Sequence, residues 1–211
     1  MAARNAMDIP GLLVALTVTA YWIGVGAMIV RVRRQSRKHA AHAATVLPKQ
    51  PLEKAMGLVW VPLVTAWVAL PWLALGRAGQ PLGLPAFTAL SPYPVLRMVA
   101  ALVAVVCLAL TIKSWARMGK DWRMAVTDEQ QALITDGMFA RIRHPIYALS
   151  ILLMACTMLV VPTGLMVLVG LVHIALMVAK AQNEERHLLH KHGEAYAAYL
   201  ARTGRFLPRL R

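Results

Sequence analysis

The sequence predicts an all-α integral membrane protein with about five transmembrane helices, the last two of them a short helical hairpin. Three observations support this fold class. The composition is 59% hydrophobic and only 15% charged, which is too apolar for an ordinary soluble domain of 211 residues. Five apolar stretches follow one another along the chain, and the basic residues cluster on one side of them. A C-terminal amphipathic helix at the membrane surface completes the expected fold.

The apolar stretches lie at residues 10–30, 56–75, 94–115, 146–161 and 164–179. The first three each have the roughly 20 residues that cross a bilayer. The last two cover only about 24 Å each at about 1.5 Å per residue. We expect them either to span a thinned region or to form a tight pair that turns at Pro162-Thr163-Gly164. The first stretch is too long for a cleaved signal peptide, lacks a small-x-small cleavage site and ends at a basic cluster, so we expect it to remain as a helix.

The positions of the basic residues predict the topology. Of 23 Lys and Arg residues, 20 lie on the segments that share one face when the amino terminus is outside, and the exceptions are Arg4, Arg77 and Arg97. This bias predicts five spans with the N-terminus outside and the C-terminus cytoplasmic, in a membrane of the bacterial inner-membrane type. The net charge of +14 is therefore explained by topology and attraction to anionic lipid, and not by nucleic-acid binding.

The polar residues divide the chain into two regions. Residues 1–116 hold three spans, a basic connector at 31–55 and a Gly- and Pro-rich external loop at 76–94. Residues 117–211 hold the hairpin and nearly all polar side chains that could carry chemistry. Within that region, residues 180–201 place apolar side chains opposite charged ones, a pattern typical of an amphipathic helix at the inner surface.

Arg143-His144-Pro145-Ile146-Tyr147 stands at the start of the fourth apolar stretch. Proline suits the first turn of a helix, and the amides of that turn attract anions. Arg143 and His144 beside them are expected to receive a carboxylate or phosphate, and Tyr147 offers a hydroxyl or a ring face. The alternative is an interfacial anchor of Arg and Tyr.

Glu184 and Glu185 follow the fifth stretch directly, where nearly every neighbour is basic. A carboxylate there can hold a cation or ribose hydroxyls, and the alternative is a salt bridge with Arg186 or with arginines of the loop. Because a short hairpin returns residue 180 to the membrane face of residue 147, we expect both clusters to border one pocket.

Other ionisable groups give weaker signals. Glu184 and His187 have the spacing of a dimetal site, but a second copy and further helical carboxylates are missing, so we predict no metal. Cys107 and Cys156 lie in apolar stretches and read as core residues without a disulfide. His173 lies inside the fifth stretch, where a hydrogen bond to a neighbouring helix or a functional role is expected.

At these residues the chain resembles the isoprenylcysteine carboxyl methyltransferase family, within the wider group that includes phospholipid methyltransferases. The resemblance covers roughly residues 115–208. It runs through Gly119-Lys120-Asp121-Trp122, Leu133 to Phe139, Arg143 to Tyr147, Glu184-Glu185-Arg186, Gly193 to Tyr199 and Phe206-Leu207-Pro208. Phe139 stands where that family usually has a tyrosine.

The resemblance implies a membrane methyltransferase that uses S-adenosylmethionine and acts on a lipophilic or lipid-like acceptor, with the carboxyl group of an isoprenylcysteine-like molecule expected. Its implied cofactor-binding residues are Gln131, Ala132, Leu133, Ile134, Phe139, His144, Pro145, Ile146, Tyr147 and Glu184. Arg143 and Glu185 are the predicted catalytic residues: Arg143 or His144 would meet the cofactor's carboxylate, and Glu185 or His144 would act as a base toward a thiol or amine.

The predicted substrate-binding residue is Lys180, four residues before Glu184, where the carboxyl methyltransferases carry an arginine. Lysine keeps the charge but lacks the two-point grip on a carboxylate. Two other readings stay open. One is an NADPH-dependent oxidoreductase resembling the sterol reductases, which the Glu-Glu pair and the lack of any cysteine after Cys156 disfavour. The other is a non-catalytic scaffold that binds membrane lipid.

Overall fold

The computed structural model describes residues 7–38, 51–75, 77, 80, 82–118 and 133–209. Within these residues the chain forms five α-helices: α1 (Ile9–Lys38), α2 (Pro51–Ala74), α3 (Tyr93–Met118), α4 (Pro145–Val160) and α5 (Gly164–Arg202). Short 3₁₀ turns lie at Ala86–Ala89 and Gly137–Ala140. No β-strand occurs in the described part of the chain. The prediction of an all-α membrane fold is confirmed.

The helices pack as a closed ring. In the order α1, α3, α4, α5, α2, each helix contacts the next, and α2 returns to α1. A further contact between α1 and α4 crosses the middle of the ring. The ring therefore joins helices from both regions that the sequence distinguishes, and the start of α4 and the polar half of α5 are held side by side.

Four helices, α1, α2, α3 and α5, are long and apolar enough to cross a membrane, whereas α4 has 16 residues and is shorter. At about 1.5 Å per residue, α4 covers about 24 Å. It ends at Val160, and α5 begins at Gly164 with the Thr163 hydroxyl accepting a hydrogen bond of 3.2 Å from the Met166 amide. The hairpin turn therefore lies at the predicted residues.

Helix α5 differs from the prediction. Its 39 residues would extend about 58 Å as a straight helix, nearly twice the hydrocarbon thickness of about 30 Å. The apolar residues 164–181 suffice for the membrane, and the residues from Glu184 onward continue the same helix beyond it. The expected surface helix at 180–201 is thus an extension of α5, interrupted at Gly193, where φ is 49°. Beyond that break Tyr196 and Tyr199 are buried again.

The end of the bundle opposite Glu184 is closed by a buried ion pair. Arg97 Nη2 lies 2.7 Å from Asp8 Oδ2, and Arg97 Nε donates to the carbonyl of Val160 at 2.9 Å. Asp8 also accepts a hydrogen bond of 3.3 Å from the Gly11 amide at the start of α1. Because the side chain of Arg97 is only 9% exposed, this cation links the ends of α1, α3 and α4 within the protein.

Small residues allow the closest helix approaches. A Cβ atom on Gly24 of α1 would lie 2.6 Å from the ring of Trp115 in α3. A Cβ atom on Gly170 of α5 would overlap the Met158 thioether of α4. Between these contacts the fully buried Trp67 donates its indole N–H to Thr157 at 3.2 Å. The two glycines therefore set how closely α1 meets α3 and α4 meets α5.

Candidate functional site

The start of α4 is held by a segment from much later in the chain. Ile142 and Gly204 form a parallel β-bridge. The Gly204 amide donates to Arg141 O at 3.1 Å, the Arg143 amide to Gly204 O at 2.9 Å, and the His144 amide to Arg205 O at 3.1 Å. We call residues 203–206 the 203–206 segment. It fixes the backbone that leads into Pro145, the first residue of α4.

Glu184 is surrounded by hydrogen-bond donors and cations. Its Oε1 atom accepts a hydrogen bond from the Tyr147 hydroxyl and lies 3.7 Å from Lys180 Nζ. Its Oε2 atom lies 3.6 Å from His144 Nδ1. The Glu184 side chain keeps 22% of its surface exposed, so an incoming polar group can still reach this carboxylate.

Glu185 is more deeply buried and more tightly held. Arg205 contacts both carboxylate oxygens. Its Nη2 donates to Oε2 at 2.6 Å, and its Nε lies 3.1 Å from both Oε1 and Oε2. Arg143 Nε donates to Oε1 at 2.9 Å, and His144 Nε2 lies 3.3 Å from the same oxygen. Burial raises the pKa of Glu185, but the nearby His144 ring and the hydrogen bonds from Arg205 and Arg143 outweigh it and hold the pKa well below its usual value. Glu185 is therefore ionised at neutral pH.

His144 lies between the two carboxylates. Its ring is stacked parallel to that of Tyr147, with a centroid separation of 5.4 Å and an interplanar angle of 2°. The centroid of the Phe206 ring lies 6.3 Å from that of His144, and the two rings are inclined at 55°. The residue is only 8% exposed, and its side chain makes no capping hydrogen bond to the first turn of α4. The ring is thus held in one orientation, and it leaves the anion-attracting start of the helix uncapped.

The charges in this cluster do not cancel. Arg143, Arg205 and Lys180 contribute three positive charges, against two negative charges on Glu184 and Glu185. The excess favours an additional anionic group. No group of three or more metal-ligating side chains occurs in the described ranges, which span residues 7–209 with gaps.

Most of the sequence-predicted site residues lie in or beside this cluster. Direct contacts with Glu184 or Glu185 join the predicted residues Arg143, His144, Tyr147 and Lys180. Phe139 is buried, and its carbonyl accepts a hydrogen bond of 2.6 Å from Tyr199. Pro145 is buried in the first turn of α4 and Ile146 packs on the core. Leu133 and Ile134 are half-buried just before the second 3₁₀ turn. Gln131 and Ala132, with the Gly119–Trp122 motif, lie outside the described residues.

The structure adds one residue that the sequence did not single out, Arg205. Its only signal in the sequence is its place directly before Phe206-Leu207-Pro208, the last piece of the family resemblance. The alternative of a salt bridge with an arginine of the loop holds for Glu185, which pairs with Arg143 and also with Arg205. Arg186 instead donates to Gln182 O on its own helix at 3.4 Å.

His173 lies away from this cluster, deeper in the bundle. Its Nε2 atom is 3.0 Å from the Ser150 hydroxyl of α4, and its ring is 4.7 Å from that of Trp67. The residue is fully buried. This is the expected hydrogen bond to a neighbouring helix. Cys107 and Cys156 are buried free thiols, as predicted.

Comparison with known proteins supports the resemblance. Residues 95–195 match the model of a family described as phospholipid methyltransferase. This range covers nearly all of α3, all of α4 and most of α5, including every member of the charged cluster except Arg205. No curated protein gives a significant match to the sequence.

Proposed function

We propose that this chain, whose residues 95–195 match the phospholipid methyltransferase family, transfers a methyl group from S-adenosylmethionine to a lipophilic acceptor. That match supports a membrane methyltransferase. The observation that carries the finer proposal is the pairing of Glu184 and Glu185 around His144 at the membrane boundary, opposite the uncapped first turn of α4.

The residues present suit this cofactor. Its carboxylate would meet the excess positive charge near Arg143 and the amide donors of the first turn of α4. Its amino group or ribose hydroxyls would donate to Glu184, which is partly exposed. S-adenosylmethionine, when bound, supplies a methyl group on a positively charged sulfur.

The chain's own contribution is mainly placement and exclusion of water. Methyl transfer needs an in-line approach, and orientation of the reactants supplies most of the rate in such reactions. The parallel Tyr147 and His144 rings and the buried Glu185 network form a rigid wall for the donor. No proton has to be removed from an acceptor that is already an ionised carboxylate.

We propose as acceptor a lipid-soluble carboxylate, with an isoprenylcysteine-like molecule as the test compound. Lys180 supports this choice, because its ammonium lies 3.7 Å from Glu184 at the membrane end of the cluster and 5.9 Å from the centre of the Trp60 ring. Its side chain is only 7% exposed, so a carboxylate near it would be shielded from water. An apolar tail could enter between the helices from the bilayer.

The deciding experiment uses purified protein in detergent with S-adenosylmethionine labelled in the methyl group. The protein is incubated with a panel of lipid-soluble carboxylates, thiols and amines, and labelled products are extracted and identified. We expect labelled methyl ester from the carboxylates. Label on amines or thiols would refute the carboxylate acceptor. In a parallel titration of the same protein with both cofactors, binding of NADPH in place of S-adenosylmethionine, or binding of neither, would overturn the proposed function.

A further inference from the structure

Arg205 holds His144 through two different contacts. Its backbone carbonyl accepts a hydrogen bond of 3.1 Å from the His144 amide. Its side chain binds the Glu185 carboxylate, whose Oε1 atom lies 3.3 Å from Nε2 of the His144 ring. We propose that Arg205 is a positioning residue of the methyl-donor site, which sets the orientation of the His144 ring by fixing Glu185. This inference rests on the proposed function.

The grip on Glu185 is specific to arginine. Nε and Nη2 of Arg205 together reach both carboxylate oxygens at 2.6 to 3.1 Å, the planar two-point arrangement that a guanidinium provides and an ammonium does not. Arg143 reaches only Oε1 with its Nε, because its Nη1 is directed to the Leu200 and Thr203 carbonyls. Arg205 is therefore the partner that prevents the carboxylate from rotating about its own axis.

The orientation of this carboxylate determines that of the histidine. With Glu185 in place, Nε2 of His144 faces Glu185, Nδ1 faces Glu184 at 3.6 Å, and the ring stays parallel to Tyr147. If Glu185 rotates, His144 loses one of its two carboxylate neighbours, and the ring is free to tilt. Glu184 then loses a fixed neighbour on the side where the cofactor is expected.

The 203–206 segment explains why this role belongs to a residue so far along the chain. The Gly204 backbone is hydrogen-bonded to the backbones of Arg141 and Arg143 on either side of the bridge to Ile142. This pairing places the next residue, Arg205, beside Glu185. The Phe206 ring then lies 6.3 Å from that of His144. The segment forms the outer wall of the site, and Arg205 is its charged contact with the interior.

The test compares Arg205→Ala, Arg205→Lys and Arg209→Ala in the full chain. Arg209 is an exposed arginine four residues further on, whose guanidinium donates to Ala201 O, and it serves as the matched control. Isothermal titration with S-adenosylmethionine is expected to show about a tenfold higher Kd for Arg205→Ala, by analogy with the low end of the loss seen when an outer partner of a metal-binding side chain is removed. Arg205→Lys is expected to recover part of this loss, and Arg209→Ala to match the wild type.

Steady-state kinetics separate positioning from simple stability. We expect Arg205→Ala to raise KM for S-adenosylmethionine by more than it lowers kcat, and Arg205→Lys to restore KM in part. A lower melting temperature in Arg205→Ala with Kd and KM unchanged would show a structural role only and overturn the inference. If the wild-type protein binds no S-adenosylmethionine, the proposed function fails and the inference fails with it, whereas wild-type binding that survives Arg205→Ala refutes the inference alone.

Discussion

Glu184→Gln removes one negative charge from the proposed donor site and keeps the size of the side chain. The new amide oxygen can still accept from the Tyr147 hydroxyl and still faces Lys180 Nζ at 3.7 Å, but the amide nitrogen, which takes the place of Oε2, cannot accept from His144 Nδ1, 3.6 Å away. A cofactor amino or hydroxyl group that donated to Glu184 would lose a hydrogen bond to a charged acceptor. The substitution therefore tests cofactor recognition more directly than truncation does.

The size of the effect follows from the exposure of the site. A hydrogen bond to a charged group contributes about 1.5–3 kcal/mol. Because 22% of the Glu184 side chain stays exposed, we take the lower half of that range, about 2 kcal/mol, which corresponds to about a 30-fold rise in Kd. Tyr147→Phe keeps the stacking on His144 and removes one neutral donor, so about 1 kcal/mol, or about fivefold, is expected.

The assay is isothermal titration of detergent-purified protein with S-adenosylmethionine. Glu194→Gln is the matched control, because Glu194 is exposed on the same helix beyond Gly193. We expect Glu194→Gln to bind like the wild type. The reasoning is refuted if Glu184→Gln binds within about twofold of the wild type, since a cofactor amino or hydroxyl group placed as proposed would lose its charged acceptor.

Three further predictions concern stability, each measured by thermal unfolding in detergent. Asp8→Asn leaves Arg97 buried without its counter-charge and is expected to cost about 2–3 kcal/mol, and a melting temperature equal to that of the wild type would contradict this role. Gly170→Leu is expected to lower stability by about 1–3 kcal/mol by forcing α4 from α5, whereas Gly26→Leu, with open space at its Cβ, should be tolerated; equal losses would count against close packing at Gly170. Hydrogen bonds hold the pKa of Glu185 below its usual value of 4.5 despite burial, so its contribution to the free energy of unfolding is present above about pH 4.5 and is lost as the pH falls. Glu185→Gln should therefore make the melting temperature less sensitive to acid than in the wild type, and an unchanged acid sensitivity would argue against this role.

The membrane fold was predictable because it depends on apolar length and short turns. Pro162-Thr163-Gly164 is a local signal, and the structure places the hairpin turn there. The gathering of Arg143, His144 and Tyr147 with Glu184 and Glu185 also followed from the sequence, since a hairpin must return its two ends to one face. These are consequences of chain geometry that hold whatever the side-chain packing.

The remaining features depend on contacts between distant residues. Nothing in the sequence near Arg205 indicates that it pairs with Glu185, 20 residues earlier, because that contact requires the break at Gly193 and the β-bridge from Ile142 to Gly204. The pairing of Arg97 with Asp8 is equally non-local. The continuity of α5 through residue 192 was missed because charge marks the end of the membrane and not the end of a helix.

The contributions of the helices to the charged cluster have an evolutionary consequence. Among the described residues, the cluster's ionic side chains come from residues 143–205, and α2 approaches it through Trp60, whose ring faces Lys180. Substitutions in α1 and most of α2 therefore leave the interlocked charges untouched. Those helices can therefore vary without disturbing the cluster, whereas a change of one charge within the cluster disturbs several paired side chains at once.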